Sequence, residues 1–65
     1  MRVISTDGRH YIEIPSQEAE ALHNYLRDHR IRTSPPEPSS SGVENIALHR
    51  GENVPVVQAL LDGWD

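Results

Sequence analysis

The run of residues 16–32 carries the clearest amphipathic pattern in the chain. Residues at intervals of three and four share one narrow stripe, with Tyr25 at its edge, and this spacing is typical of a helix packed on one face. The residues of the stripe are Ala19, Leu22, Leu26 and His29. Ser16 is a suitable N-cap, and arginines near the other end complement the helix dipole. The pattern predicts a helix that begins at Ser16 and ends near Arg30.

Two short runs rich in β-branched residues precede this helix, at residues 3–5 and 11–14. An Asp-Gly dipeptide at positions 7–8 lies between them, and this is the strongest local signal of a β-hairpin. In the second run the isoleucines alternate with Tyr11 and Glu13, so the isoleucines are expected to face the helix. The opposite face of the sheet is then open to solvent or to a partner.

The second half of the chain contains two further amphipathic runs. Residues 43–49 alternate through Ile46 and Leu48 and predict a third strand. The pair Glu52 and Asn53 then offers a cap, and Pro55 suits the first turn of a second helix. The apolar stripe of this helix consists of Val54, Val57, Leu60, Leu61 and Trp64.

The segment between the first helix and the third strand, residues 33–42, is dominated by proline and serine. Such a composition buries little apolar area, and its prolines favour an extended, solvated backbone. We therefore predict a flexible loop over residues 33–42. Residues 31–33, where this loop starts, are a candidate for a brief additional strand.

The order of these elements is β-β-α-β-α, which predicts a single α+β domain over residues 1–65. The first two strands form the hairpin. A third strand that follows the first helix is expected to lie parallel to the second strand through a right-handed crossover, which makes a small mixed sheet. Both helices are expected to cover the same face of this sheet, in a two-layer sandwich.

Composition limits the size of the core and the class of partner. A domain of 65 residues with 35% apolar residues has a lean core, which self-association would extend. The formal charge of −4, with the whole deficit in the second half, disfavours binding to an extended nucleic acid. The chain has no cysteine and no run long enough for a signal peptide or a membrane span, so we expect a cytoplasmic protein.

Histidines are the only candidates for a metal site, and their spacing does not favour one. Along a helix, His23 and His29 lie about 120° apart, whereas two histidines that share an ion are usually four residues apart. His10 and His49 lie near strand ends without a third ligand. No nucleophile stands beside a base in a predicted pocket. We therefore predict no catalytic, cofactor-binding or metal-binding residue and a protein that is not an enzyme.

The remaining candidates are residues of an interaction surface. Arg27, Arg30 and Arg32 crowd the end of the first helix, where they complement the dipole and also present guanidinium forks to an anionic partner. Tyr11 on the open sheet face is a second candidate, and Trp64 is either core or an exposed anchor. We predict a non-catalytic interaction module that binds an unknown protein or a second copy of itself. A small regulator that contacts nucleic acid through the three arginines is the alternative.

Overall fold

Four strands and two helices make up the part of the chain that the computed structural model describes, residues 1–64. They follow in the order β1 (Val3–Thr6), β2 (Arg9–Pro15), α1 (Ser16–Asp28), β3 (Glu37–Ser40), β4 (Val43–Ala47) and α2 (Val54–Asp62). The predicted α+β class and both predicted helices are confirmed, and the order gains one strand. No helix in this part of the chain has the length and apolar character needed to cross a membrane.

The strands β1 and β2 form the predicted hairpin. Thr6 pairs with Arg9, so the turn between them has two residues, Asp7 and Gly8. Their φ angles are 52° and 76°. Two-residue turns with positive φ at both positions match the right-handed twist of the flanking strands, and Asp-Gly tolerates this backbone better than other pairs. The hairpin is therefore determined locally.

The predicted parallel pairing between the second strand and residues 43–49 is wrong. The sheet has the order β1-β2-β4-β3, and β4 pairs antiparallel with β2, with Ile12 opposite Ile46. The strand that follows α1 along the chain is β3, which runs antiparallel to β4 and hence parallel to β2. The crossover from β2 through α1 thus leads to a parallel strand, as expected. That strand is β3, and β4 folds back between it and β2.

The segment 33–42, predicted as a loop, contains the edge strand β3. Pro38 pairs with Glu44 and Ser40 with Val43, and the tight turn to β4 includes Gly42 at a φ of 76°. Proline lacks the N–H that an inner strand must donate, but an edge strand tolerates it. The prediction of a loop is therefore wrong for residues 37–40, and the flexibility of the segment stays a prediction. The brief strand expected at residues 31–33 is reduced to one bridge, between Thr33 and Leu48.

The ends of α1 differ slightly from the prediction. Pro15 occupies the N-cap position, and Ser16 is the first helical residue rather than the cap. The helix has no side-chain cap, and the N–H of Ser16 donates to the carbonyl of Gly42 in the β3–β4 turn at 2.9 Å. The helix ends at Asp28. In α2, by contrast, the Asn53 side chain accepts from the N–H of Val56 at 3.2 Å, as predicted.

The core lies between the sheet and the two helices. It contains inward-facing isoleucines of β2 and β4 and the buried stripes of both helices, all in one cluster. The buried residues are Ile12, Ile14, Ala19, Leu22, Leu26, Ile31, Ile46, Val57 and Leu61. The Tyr25 hydroxyl donates to the carbonyl of Leu60 at 2.9 Å and so joins α1 to α2. Both helices cover the same face of the sheet, and the other face has no covering layer.

A side chain of α2 occupies the free edge of the sheet next to β1. Gln58 Oε1 accepts from the N–H of Val3 at 3.0 Å, and Gln58 Nε2 donates to the carbonyl of Met1 at 3.0 Å. The same nitrogen donates to Asp62 Oδ1, also at 3.0 Å. The amide of Gln58 thus makes the two backbone bonds that a neighbouring strand would make, and it protects this edge.

We expect Gln58→Ala to lower the free energy of unfolding by about 1 kcal/mol, because it leaves a strand N–H and a carbonyl without their protein partners. Urea unfolding followed by circular dichroism measures this change. Gln17→Ala, at an exposed position in the first turn of α1, is the matched control and should change stability by less than half as much. Equal effects of the two substitutions would contradict a role of Gln58 at the edge.

Candidate interaction surfaces

The uncovered face of the sheet has a central row of apolar side chains. Ile4 pairs with Tyr11, and Tyr11 pairs with Ala47, so the three residues form one row across β1, β2 and β4. Since neighbouring residues of a strand point to opposite faces, this row lies opposite the buried pair Ile12 and Ile46. Ile4 and Tyr11 are half-buried and Ala47 is exposed. We call Ile4, Tyr11 and Ala47 the outer row.

Charged residues flank the outer row, and those of β2 have opposite signs on its two sides. On the side of the β1–β2 turn, Arg9 pairs with Thr6. On the other side, Glu13 pairs with Asn45, and Asn45 pairs with Glu37. Arg9 and Glu13 are four residues apart in β2, or about 13 Å along the strand. Arg9 and Glu13 of β2 thus lie on opposite sides of the apolar row, and Arg2, which precedes β1, lies on the same side as Glu13.

The turn side of this face continues into a broad, open depression of about 1040 Å³. Both Arg9 and Tyr11 line it, together with Ala47 and His49 from the neighbouring part of the chain. Its wide opening to solvent makes it a surface for contact rather than an enclosed pocket for a reaction.

The second candidate surface brings the three predicted arginines together. Arg27, Arg30 and Arg32 line one depression of about 390 Å³. His23, Ile31, Thr33 and His49 complete its lining, which contains no acidic residue. We call Arg27, Arg30, Arg32, His23 and His49 the arginine cluster. His49 is one of several possible neighbours of these arginines, with Arg9, His10 and Arg50, and of these four it is the one that lines the depression.

The turn after α1 places these arginines at different points of the lining of the depression. The N–H of Ile31 donates to the carbonyl of Leu26 at 2.9 Å, and the N–H of Arg30 donates to that of Arg27 at 2.9 Å. These two bonds define a Schellman motif, in which the residue after the cap has a left-handed backbone and is usually glycine. Here that residue is Arg30, with a φ of 63°. The motif returns Ile31 to the core while Arg30 and Arg32 remain exposed.

Backbone hydrogen bonds on both sides hold Arg32 in place. Its N–H donates to Glu52 Oε1 at 2.7 Å, and its carbonyl accepts from the N–H of His49 at 3.1 Å. The neighbouring residues Thr33 and Leu48 form an isolated β-bridge. The backbone positions of Arg32 and His49 are therefore coupled by the fold, although the two residues are distant in sequence.

Trp64 lies apart from both surfaces, on the helical side of the sheet. It is half-buried and stacks on Tyr25, with a distance of 4.9 Å between ring centroids and a tilt of 52°. Tyr25 also contacts His29 edge to face, with a distance of 4.6 Å between the ring centroids. The predicted interaction residues are thus divided among three places: Tyr11 on the open sheet face, the arginines at the end of α1, and Trp64 against the helices.

The histidines do not converge on one point. In the described residues 1–64, no group of three His, Cys, Asp or Glu side chains is arranged to hold a metal ion. His10 Nδ1 lies 2.6 Å from Ser5 Oγ, a contact across the hairpin that the sequence analysis did not anticipate. The contact could have been predicted from the hairpin, because a two-residue turn at positions 7–8 places residue 5 opposite residue 10. The contact is exposed to solvent, outside any enclosed site.

Comparisons with known proteins do not assign either surface. The chain matches no protein-family model, no curated protein and no solved structure. The properties of the two surfaces themselves are therefore the basis of the proposals below.

We expect Arg30→Gly to raise the free energy of unfolding by about 0.5 to 1 kcal/mol, because glycine adopts a left-handed backbone without the steric cost that arginine has there. The matched control is Arg27→Gly, which places glycine inside α1 and should lower stability by about 1 kcal/mol. Urea unfolding of the two variants measures both changes. Destabilisation of similar size by both substitutions would contradict the assignment of a left-handed C-terminal turn at Arg30.

Proposed function

We propose that this chain is a non-catalytic interaction module that associates with a second copy of itself through the open face of the sheet. The observation that carries the proposal is the arrangement of Arg9, Tyr11 and Glu13 along β2. These residues face away from the core, and the two charges stand at equal distances from the tyrosine. Such a surface is complementary to its own copy after a half turn.

The positions of the charged residues relative to the outer row determine the geometry of this contact. A two-fold axis that runs along the outer row, between two facing sheets, superimposes β2 of one copy on β2 of the other in the opposite direction. Arg9 of one copy then lies over Glu13 of its partner, and the same contact occurs twice because the interface is isologous. Tyr11 meets its own symmetry mate at the centre. Thr6 of β1, which is uncharged, lies over the partner's Arg2, the residue before β1.

The size of the surface indicates a weak complex. Four strands about 4.8 Å apart and about 17 Å long present roughly 300 Å² of flat area. Stable interfaces bury about 800 Å² from each partner. We therefore expect a reversible dimer that forms at protein concentrations of about 0.1 to 1 mM, or at lower concentrations where the chain is locally concentrated.

The edges of the sheet are less suited to association than its face. Gln58 already bonds the backbone of the β1 edge. At the other edge, Pro38 in β3 lacks an N–H, and proline on an edge strand is a common means of preventing strand addition. The lean core adds a further reason for contact through the face, because a facing copy would cover the half-buried side chains of Ile4 and Tyr11.

We expect Arg9→Glu to weaken self-association by about tenfold, because it replaces two symmetric attractions by two repulsions. The double variant Arg9→Glu/Glu13→Arg restores opposite charges across the two-fold axis and should restore the wild-type association. Sedimentation equilibrium over a concentration series up to about 1 mM measures both changes. Arg27→Glu, in the arginine cluster, is the control for a general charge effect and should leave association unchanged.

Two results would contradict the proposal. A wild-type protein that remains monomeric at the highest concentration excludes self-association through this face. A double variant that associates no better than Arg9→Glu excludes the antiparallel two-fold arrangement. Circular dichroism and urea unfolding of each variant distinguish a lost interface from a lost fold.

A further inference from the structure

We propose that the arginine cluster is a binding site for a small phosphorylated ligand, in which adjacent phosphoryl groups carry two or more negative charges. The depression is lined by three arginines and two histidines, without an acidic residue. The chain as a whole has a formal charge of −4, so this surface reverses the sign of the charge that most of the protein presents. A local reversal of this kind favours an anion of limited size over an extended polyanion.

Stabilisation of the helix end explains only part of the cluster. Arg27 stands in the last turn of α1, where a cation complements the negative end of the dipole. Arg32 lies beyond the turn on the connecting segment, and His49 follows β4. Neither residue belongs to the helix, yet both line the same depression as Arg27. Three separate parts of the chain thus contribute to the lining of one depression.

The fold positions these residues before any ligand binds. His23 and Arg27 are four residues apart in α1 and share one face of the helix. The backbone of Arg32 is bonded to Glu52 and to His49, which holds both sides of the depression in place. Arg30 occupies a left-handed position that glycine would adopt with less strain. An arginine retained there at a cost in stability is consistent with a role at the surface.

The chemistry of the lining indicates the class of ligand. Guanidinium groups donate two parallel hydrogen bonds to phosphate oxygens, and imidazoles donate single ones. Three guanidinium groups around one depression match a pyrophosphate group better than a single carboxylate, which has one charge. The lining lacks tryptophan and tyrosine, the residues on which the bases of a single-stranded nucleic acid usually stack.

Two carboxylates near the cluster lower its net charge. Asp28 follows Arg27 in the chain, and Glu52 accepts the hydrogen bond from the Arg32 backbone. With both carboxylates ionised and the histidines neutral, the three arginines leave a net charge of about +1 around the site. The ligand must therefore be held by directed hydrogen bonds as well as by charge, which makes the contribution of each guanidinium group large.

The test is a titration of the isotope-labelled full chain with pyrophosphate at constant ionic strength, followed by amide chemical shifts. We expect the largest shifts at residues 27–33 and 48–50. Arg32→Ala and Arg27→Ala should each weaken pyrophosphate binding by about tenfold in calorimetry. Arg2→Ala, at an exposed position outside the lining, is the control and should bind as the wild type does.

Three comparisons complete the test. Acetate, with a single carboxylate, should bind at least tenfold more weakly than pyrophosphate, and a nucleoside diphosphate should bind at least as well as pyrophosphate. If acetate binds equally well, the site is a general anion surface and the proposal is overturned. If a short single-stranded RNA binds much more tightly than the nucleoside diphosphate, the ligand is a nucleic acid and the proposal is also overturned. Unchanged binding by Arg32→Ala, with its fold verified by circular dichroism, excludes this site.

Discussion

The pairing of Ile12 with Ile46 at the centre of the sheet is the contact on which the rest of the domain depends. Both side chains are completely buried, and they join the two inner strands at the point where both helices pack. A small domain buries a smaller fraction of its surface than a large one, so each buried side chain contributes a large part of the stability. This antiparallel pair places β4 beside β2 and puts the core on one face of the sheet.

The placement of two helices on one face creates an asymmetry with functional consequences. Leu22 and Leu26 of α1 and Val57 of α2 complete the core on one side of the sheet, and Tyr11 remains on the other side without a covering layer. The charges of β2 on the two sides of Tyr11, on Arg9 and Glu13, have opposite signs. A face of this kind is more polar than a core, and it resembles the surfaces that form reversible contacts rather than permanent ones. The proposed self-association uses the face that the helices leave free.

The end of α1 has a different character, because its residues come together through turns rather than through the sheet. The Schellman motif returns Ile31 to the core and leaves Arg30 and Arg32 exposed on either side of it. The bonds from Arg32 to Glu52 and His49 then connect this turn to the segment between β4 and α2. The two surfaces share His49, which lines both depressions, but the charged residues of β2 take no part in the hydrogen bonds of this turn. The two proposals are therefore separable in experiments.

The sequence alone predicts the two helices and the first hairpin. The signals for these elements are local: the spacing of apolar residues in α1, the Asn53 cap of α2, and the Asp-Gly turn between β1 and β2. It also indicated that the arginines at the end of α1 are a group. Three features come from contacts between distant parts of the chain: residues 37–40 form a strand, β4 lies between β2 and β3, and His49 joins the arginines. These features depend on backbone hydrogen bonds between distant segments, and a strand such as β3, with one glutamate, one proline and two serines, forms only because a neighbouring strand offers those bonds.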